Sequence, residues 1–278
     1  MEEVKSQLGT AMNRLKVRAG NDAIMHGKAD IQNVELAYTR EGSGVRLLCV
    51  HGGMGIDSAS LRVPGILDLA QRGCEVAIFD QRGHGDSSRV ASSDYTNELW
   101  ATDAFNLARH FGWSKFAMLG HSYGGFTALE YAVRWPQTLS HLVLVATSAG
   151  PVIATLAACS TDQELHDYFA KLWPEFFAGS DKHWEVFERL RFSLPPYKAA
   201  FGRELPEYDL RSSVRTIAVP TLLIVGSEDH YKPHMEWLAR ELPNASLHVL
   251  PSVGHFPFIE ASEGFLQTVS VFLSGAGF

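Results

Sequence analysis

The chain has 278 residues, 46% hydrophobic and 20% charged, enough for one large domain, or a domain carrying an insertion, with a full core. With 24 Lys and Arg against 31 Asp and Glu, the formal charge of -7 offers no electrostatic footprint for nucleic acid or anionic lipid. A small, neutral molecule is the expected partner of a monomer or homodimer.

Residues 1–30 are polar, with a weak helical pattern from Val4 to Val17, and read as an appendage. The start, Met-Glu-Glu-Val-Lys, lacks the apolar core of a secretory signal. From Val34 short apolar runs alternate with segments of helical period, the pattern of an α/β sheet. Strands are expected at Val34–Tyr38, Val45–Val50, Glu75–Phe79, Phe116–Leu119, His141–Val145, Thr221–Val225 and Ser246–Leu250. Several are almost wholly apolar, as strands covered on both faces must be.

Helices are expected near 59–72, 124–134, 233–241 and 262–273. Another is marked by Trp100, Ala104, Leu107 and Phe111, which form one stripe ending at Gly112. Residues 142–158 are broken by Thr147, Ser148, Gly150 and Pro151, so no membrane span is expected. Cys49, Cys74 and Cys159 are odd in number and far apart, which points to buried thiols in a reducing, cytoplasmic setting.

No strand pattern appears from 151 to 205, which therefore reads as a helical cap inserted between core segments 31–150 and 206–278. The cap holds ten of the chain's 30 Phe, Tyr and Trp residues. Trp173 and Phe177 from this group, with Met54 and Phe256 from neighbouring loops, are assigned to an apolar substrate pocket. Thr161 and Glu164 have capping-box spacing and should close a helix start.

Residues 119–125 read Leu-Gly-His-Ser-Tyr-Gly-Gly, with a strand before them and a helical segment after. A strand-to-helix turn exposes the Ser122 oxygen, and the helix N-terminus adds positive dipole where an oxyanion would form. A serine nucleophile needs a base and a group to orient it. Asp229 and His255 follow later strand ends, where catalytic groups of open α/β sheets collect. His-Gly-Gly-Met-Gly at 51–55 follows another strand, and the N–H groups of Gly53 and Tyr123 are assigned to the oxyanion.

Five motifs in order carry a resemblance: His-Gly-Gly-Met-Gly, Phe-Asp-Gln-Arg-Gly-His-Gly-Asp-Ser (79–87), Gly-His-Ser-Tyr-Gly-Gly, Val-Pro-Thr-Leu-Leu-Ile-Val-Gly-Ser-Glu-Asp and Gly-His-Phe-Pro. The chain resembles α/β-hydrolase-fold serine hydrolases over most of 34–273, and within them the proline-iminopeptidase-like branch, which contains many esterases. The resemblance implies a mostly parallel sheet flanked by helices, with a small cap after the sixth strand. It implies a Ser122, His255, Asp229 triad and no metal or organic cofactor.

The expected activity is hydrolysis of a carboxylic ester, or a related acyl bond, of a small, largely apolar substrate. An amino-terminal peptidase, a lactonase, a carbon–carbon bond hydrolase and a small-molecule receptor are the alternatives. Met54 departs from the branch, which usually has proline there. The cap's eight acidic and six basic residues identify no glutamates for holding a substrate ammonium. His230 and His234 have the spacing of a metal pair, but Pro233 lies between them and no third ligand has a motif. His51, His121 and Asp80 are expected to hold loop backbone.

Overall fold

The computed structural model describes residues 24–62, 65–152 and 156–275. The helical pattern at 4–17 lies outside them. Eight strands form one sheet in the order β1-β2-β4-β3-β5-β6-β7-β8. They are β1 (Met25–Ile31), β2 (Val34–Gly42), β3 (Val45–Val50), β4 (Cys74–Phe79), β5 (Phe116–His121), β6 (Leu139–Val145), β7 (Thr221–Gly226) and β8 (Ala245–Leu250). β1 and β2 run antiparallel at one edge, and the other six are parallel.

All seven expected strands are present, with ends extended by up to four residues. β1 was not expected, and its pairing with β2 moves the start of the core back from 31 to Met25. As an edge strand it has only Ala29 and Ile31 buried, so Met-His-Gly-Lys-Ala-Asp-Ile lacks the dense apolar run of the inner strands. With β1 counted, the cap follows the sixth strand, β6.

Successive side chains of the inner strands feed opposite layers. Leu47, Cys49, Ala117, Leu119, Val143 and Val145 join one buried cluster, and Leu48, Val50, Phe116, Met118, Leu142 and Leu144 join the other. The first is covered by Ala59–Arg62 and Ile66–Arg72, the helix Ser262–Ser274 and much of the cap, and the second by helices Asn97–His110, Tyr123–Arg134 and Lys232–Glu241. The segment near 59–72 is not one helix: an α-turn at Ala59–Arg62 gives way to a 3₁₀ stretch at Ile66–Arg72, with Gly65 between them at φ 142°.

The cap opens with helix Asp162–Leu172. Thr161 Oγ1 accepts the Glu164 N–H at 3.1 Å, and the Glu164 carboxylate accepts the Ser160 N–H at 2.6 Å, closing the helix start. Short helical turns follow at Trp184–Phe187 and Leu194–Ala199, with a π-turn at Ala200–Glu204. All three cysteines are free and buried. Among the described residues no helix is long and apolar enough to cross a membrane.

Candidate active site

Ser122 stands between β5 and helix Tyr123–Arg134 at φ 54° and ψ −120°, a conformation costly for a residue with a side chain. The glycines around it make the turn possible. A Cβ on Gly124 would lie 2.6 Å from the His51 carbonyl oxygen and closer still to that of Val50, and one on Gly120 would meet the Gly124 carbonyl and Ala128. The helix thus begins pressed against β3, and Ser122, half-buried, lines a cavity of about 570 Å³ between the sheet and the cap.

His255 lines the same cavity. Its Nδ1 is 2.9 Å from Asp229 Oδ2, and Asp229 Oδ1 accepts the Tyr231 N–H at 2.9 Å. Burial raises the Asp229 pKa, but the charge and hydrogen bond of His255 and the Tyr231 N–H outweigh it and hold the carboxyl at about 2. The ring is pinned from other sides: its backbone N–H donates to the Phe176 carbonyl at 2.7 Å, and its carbonyl meets His121 Nε2 at 2.9 Å. His255, with its Nδ1 engaged by a carboxylate, has Nε2 left for proton exchange.

The loop after β3 brings Gly52 and Gly53 to the wall of the same cavity, beside Ser122. Gly52 must be glycine, because a Cβ there would meet the Ser122 Cβ and the His121 carbonyl oxygen, each at 2.6 Å. Neither the Gly53 N–H nor the Tyr123 N–H has an acceptor among the described residues. The Tyr123 side chain turns away, donating to Asn97 Oδ1 at 2.9 Å, so only its backbone belongs to the site.

This loop is held by the turn after β4. Gln81 donates its backbone N–H to His51 Nε2 at 3.1 Å and its side-chain amide to the His51 carbonyl at 2.9 Å, while His84 Nε2 accepts the Gly55 N–H at 2.8 Å. Asp80 accepts from the Ser58 N–H and hydroxyl and from the Asp86 N–H. Burial pushes His84 and His121 down to about 3 and lowers His51, so these rings are neutral acceptors and donors within the scaffold.

Of the residues assigned to the pocket, Trp173 and Phe256 line the cavity, and Met54 and Phe177 do not. Met54 is fully buried in a separate cluster with Trp100, Tyr123 and Phe126, where it anchors the glycine loop from below. Phe177 stacks on Phe256 with ring centres 5.3 Å apart, and the adjacent Phe176 faces the cavity instead. Sequence reading missed Tyr168, Phe169 and Leu172, although their spacing along one helix face carried the signal. Tyr197, Phe201 and Tyr231 also line the wall.

His230 and His234 both reach the cavity. His234 Nδ1 is engaged by Ser148 Oγ at 3.1 Å, and the His230 ring stacks on His255 at 5.5 Å. The pair is not brought together as metal ligands, although His230, Asp229 and His255 have ligand atoms within 4.8 Å of one another. Asp229 and His255 already share a hydrogen bond in that trio. Among the described residues no Asp, Glu, Lys or Arg lines the cavity.

A strand-to-helix serine, a carboxylate-bound histidine and two free N–H groups around one cavity form an arrangement suited to acyl transfer. The profile of the alpha/beta hydrolase family matches residues 47–268, and the chain belongs to that family. It is a hydrolase. The chain is 25% identical to a proline iminopeptidase of Saccharolobus solfataricus, over 85% of this chain and 87% of that one. It is 29% identical to a 2-hydroxymuconate semialdehyde hydrolase of Pseudomonas putida, over 85% and 89%. The enol-lactonase of Burkholderia xenovorans LB400 shares the fold with a TM-score of 0.77 at 22% identity, covering 89% of this chain and all of that one.

Proposed function

We propose that the chain is a serine hydrolase that cleaves a carboxylic ester, open or cyclic, of a small and largely apolar substrate. Ser122 Oγ attacks the carbonyl carbon as His255 takes its proton. The tetrahedral oxygen is held by the N–H groups of Gly53 and Tyr123, and Asp229 orients the imidazole and stabilises its charge. His255 returns the proton to the leaving alkoxide, and water then releases the acid by the same route. No metal or organic cofactor enters the reaction.

The observation that carries this reading is a cavity containing Ser122 and His255 whose described wall offers no charged carboxylate, lysine or arginine. An aminopeptidase substrate presents an ammonium group, which would be stripped of water there without a partner. A neutral ester loses no such solvation, and its acyl chain meets Tyr168, Phe169, Leu172, Trp173 and Phe201. The relatives divide among different bonds, so the wall chemistry, and not the likeness, supports the choice.

The test is a kinetic panel of short neutral p-nitrophenyl esters, lactones and aminoacyl-arylamides. The esters should turn over steadily, with kcat/KM at least about a hundredfold above the arylamides, a margin of about 2.7 kcal/mol or more. A faster reaction with free aminoacyl substrates, or a single burst without turnover, would refute the proposal.

A further inference from the structure

The loop that carries Gly53 is bonded to the cap as well as to the core. Ile56 bridges Phe192 in an antiparallel pair. Around it Ser193 donates its N–H to the Gly55 carbonyl at 2.8 Å, and Asp57 donates its own to the Arg191 carbonyl at 3.1 Å. Residues 55–57 thus make a short ribbon with residues 191–193, two positions downstream of Gly53. Gly53 itself sits at φ 58° and accepts the Ile56 N–H at 2.6 Å, so the turn that aims its free N–H closes on a residue gripped by the cap.

Arg191 anchors the ribbon. Its Nε donates to Asp57 Oδ2 at 2.9 Å and its Nη1 to Asp86 Oδ1 at 2.6 Å, and its Nη2 is 3.7 Å from Asp80 Oδ2. Asp57 and Asp80 are almost fully buried, whereas the arginine side chain is half-exposed. One guanidinium from the cap therefore faces carboxylates of the glycine loop and of the turn after β4, both of which hold the oxyanion side of the site. Its planar fork suits this task in a way a lysine does not. A second splice serves the histidine: Phe176 accepts the His255 N–H, and Glu260 joins the Ala178 and Gly254 N–H groups at 2.9 Å each.

We infer that Arg191 is a positioning residue that sets the Gly53 oxyanion donor through Asp57, making the cap a structural part of the catalytic machinery as well as the wall of the pocket. This rests on Gly53 being a donor to the tetrahedral oxygen. Arg191 touches no substrate, since it does not line the cavity. Loss of the anchor therefore weakens stabilisation of the tetrahedral state and leaves ground-state binding by the aromatic wall intact.

The experiment compares wild type with Arg191→Gln, Asp57→Asn and the double variant. The readouts are kcat and KM for a short p-nitrophenyl ester, and affinity for an alkyl boronic acid, which becomes tetrahedral on the serine. Arg191→Gln should lower kcat roughly ten- to a hundredfold, with KM changed less than about twofold and boronate affinity falling in step with kcat. The double variant should be no worse than the poorer single one. An unchanged kcat, or a loss confined to KM with boronate affinity intact, overturns the inference. If Arg191→Gln does not fold, Asp57→Asn gives the same readings. Labelling of Ser122 by a fluorophosphonate separates the two levels: an unlabelled wild type sinks the serine mechanism itself, whereas a labelled Arg191→Gln with normal kcat sinks only the role of Arg191.

Discussion

Asp229 Oδ2 lies 2.9 Å from His255 Nδ1, although the two residues come from different strand ends, after β7 and after β8. β7 and β8 are parallel neighbours paired from Thr221 with Ala245 to Gly226 with Leu250, so adjacent strands deliver the acid and the base to the same end of the sheet. Replacing the carboxylate by an amide leaves the shape but removes the group that fixes the imidazole tautomer. Asp229→Asn should lower kcat for a neutral ester by about four orders of magnitude, with little change in KM. Stopped-flow or steady-state assays of the purified variant measure it directly.

The same carboxyl contributes to stability in a defined acid window. Its native value of about 2 lies below the ordinary aspartate value, so the folded state holds the proton less tightly than the unfolded chain. Its contribution of about 2–3 kcal/mol is complete above pH ~4 and is lost as the pH falls towards 2. Chemical denaturation at a series of pH values should show a shallower pH dependence between 4 and 2 in Asp229→Asn than in wild type.

His84 and His121 act in a higher window. Burial holds both at about 3, so each is neutral in the fold and protonates more readily once unfolded. Stability contributed by the neutral rings is present above pH ~6.5 and falls by about 1.4 kcal/mol per histidine for each pH unit below that, until the native value near 3 is reached. The thermal midpoint should therefore drop steeply between pH 6 and 4, before Asp229 titrates. A flat midpoint across that range would contradict neutral burial of these rings.

Gly124 is fixed by backbone, not by the reaction. A methyl there would collide with the Val50 and His51 carbonyl oxygens, neither of which has a flexible end that could yield. Gly124→Ala should cost about 2–3 kcal/mol and lower the melting temperature by roughly 5–10 °C, with loss of esterase activity through displacement of Ser122. Differential scanning calorimetry gives the first quantity and an ester assay the second.

The cavity's length should be adjustable at Phe201, which is half-buried and lines the wall from the π-turn of the cap. Phe201→Ala should shift preference towards longer acyl chains, raising the kcat/KM ratio of octanoyl to butanoyl ester by roughly three- to tenfold. An unchanged chain-length profile would mean that the acyl group lies elsewhere.

Much of the fold was legible because the inner strands are covered on both faces and so appear as dense apolar runs: β3, β5 and β7 are examples. β1 was hidden because an exposed edge strand needs few apolar residues. Ser122, Asp229 and His255 were legible as candidates because backbone requirements mark their surroundings, the glycines at 120 and 124 beside Ser122 and those at 226 and 254 near the other two. The pocket was harder to read. Aromatic content located it in the cap, but whether Phe176 or Phe177 faces the substrate depends on the local backbone after Trp173, and Met54 looked available only because the anchoring cluster beneath it is assembled from distant segments.

The central claim is that Ser122 is an activated nucleophile. Intact-protein and peptide mass spectrometry after reaction with a fluorophosphonate addresses it most directly. One adduct per chain is expected, located on the peptide containing Ser122, with parallel loss of ester hydrolysis and no adduct in Ser122→Ala. An adduct on another residue, or an active enzyme that takes no label, would contradict it.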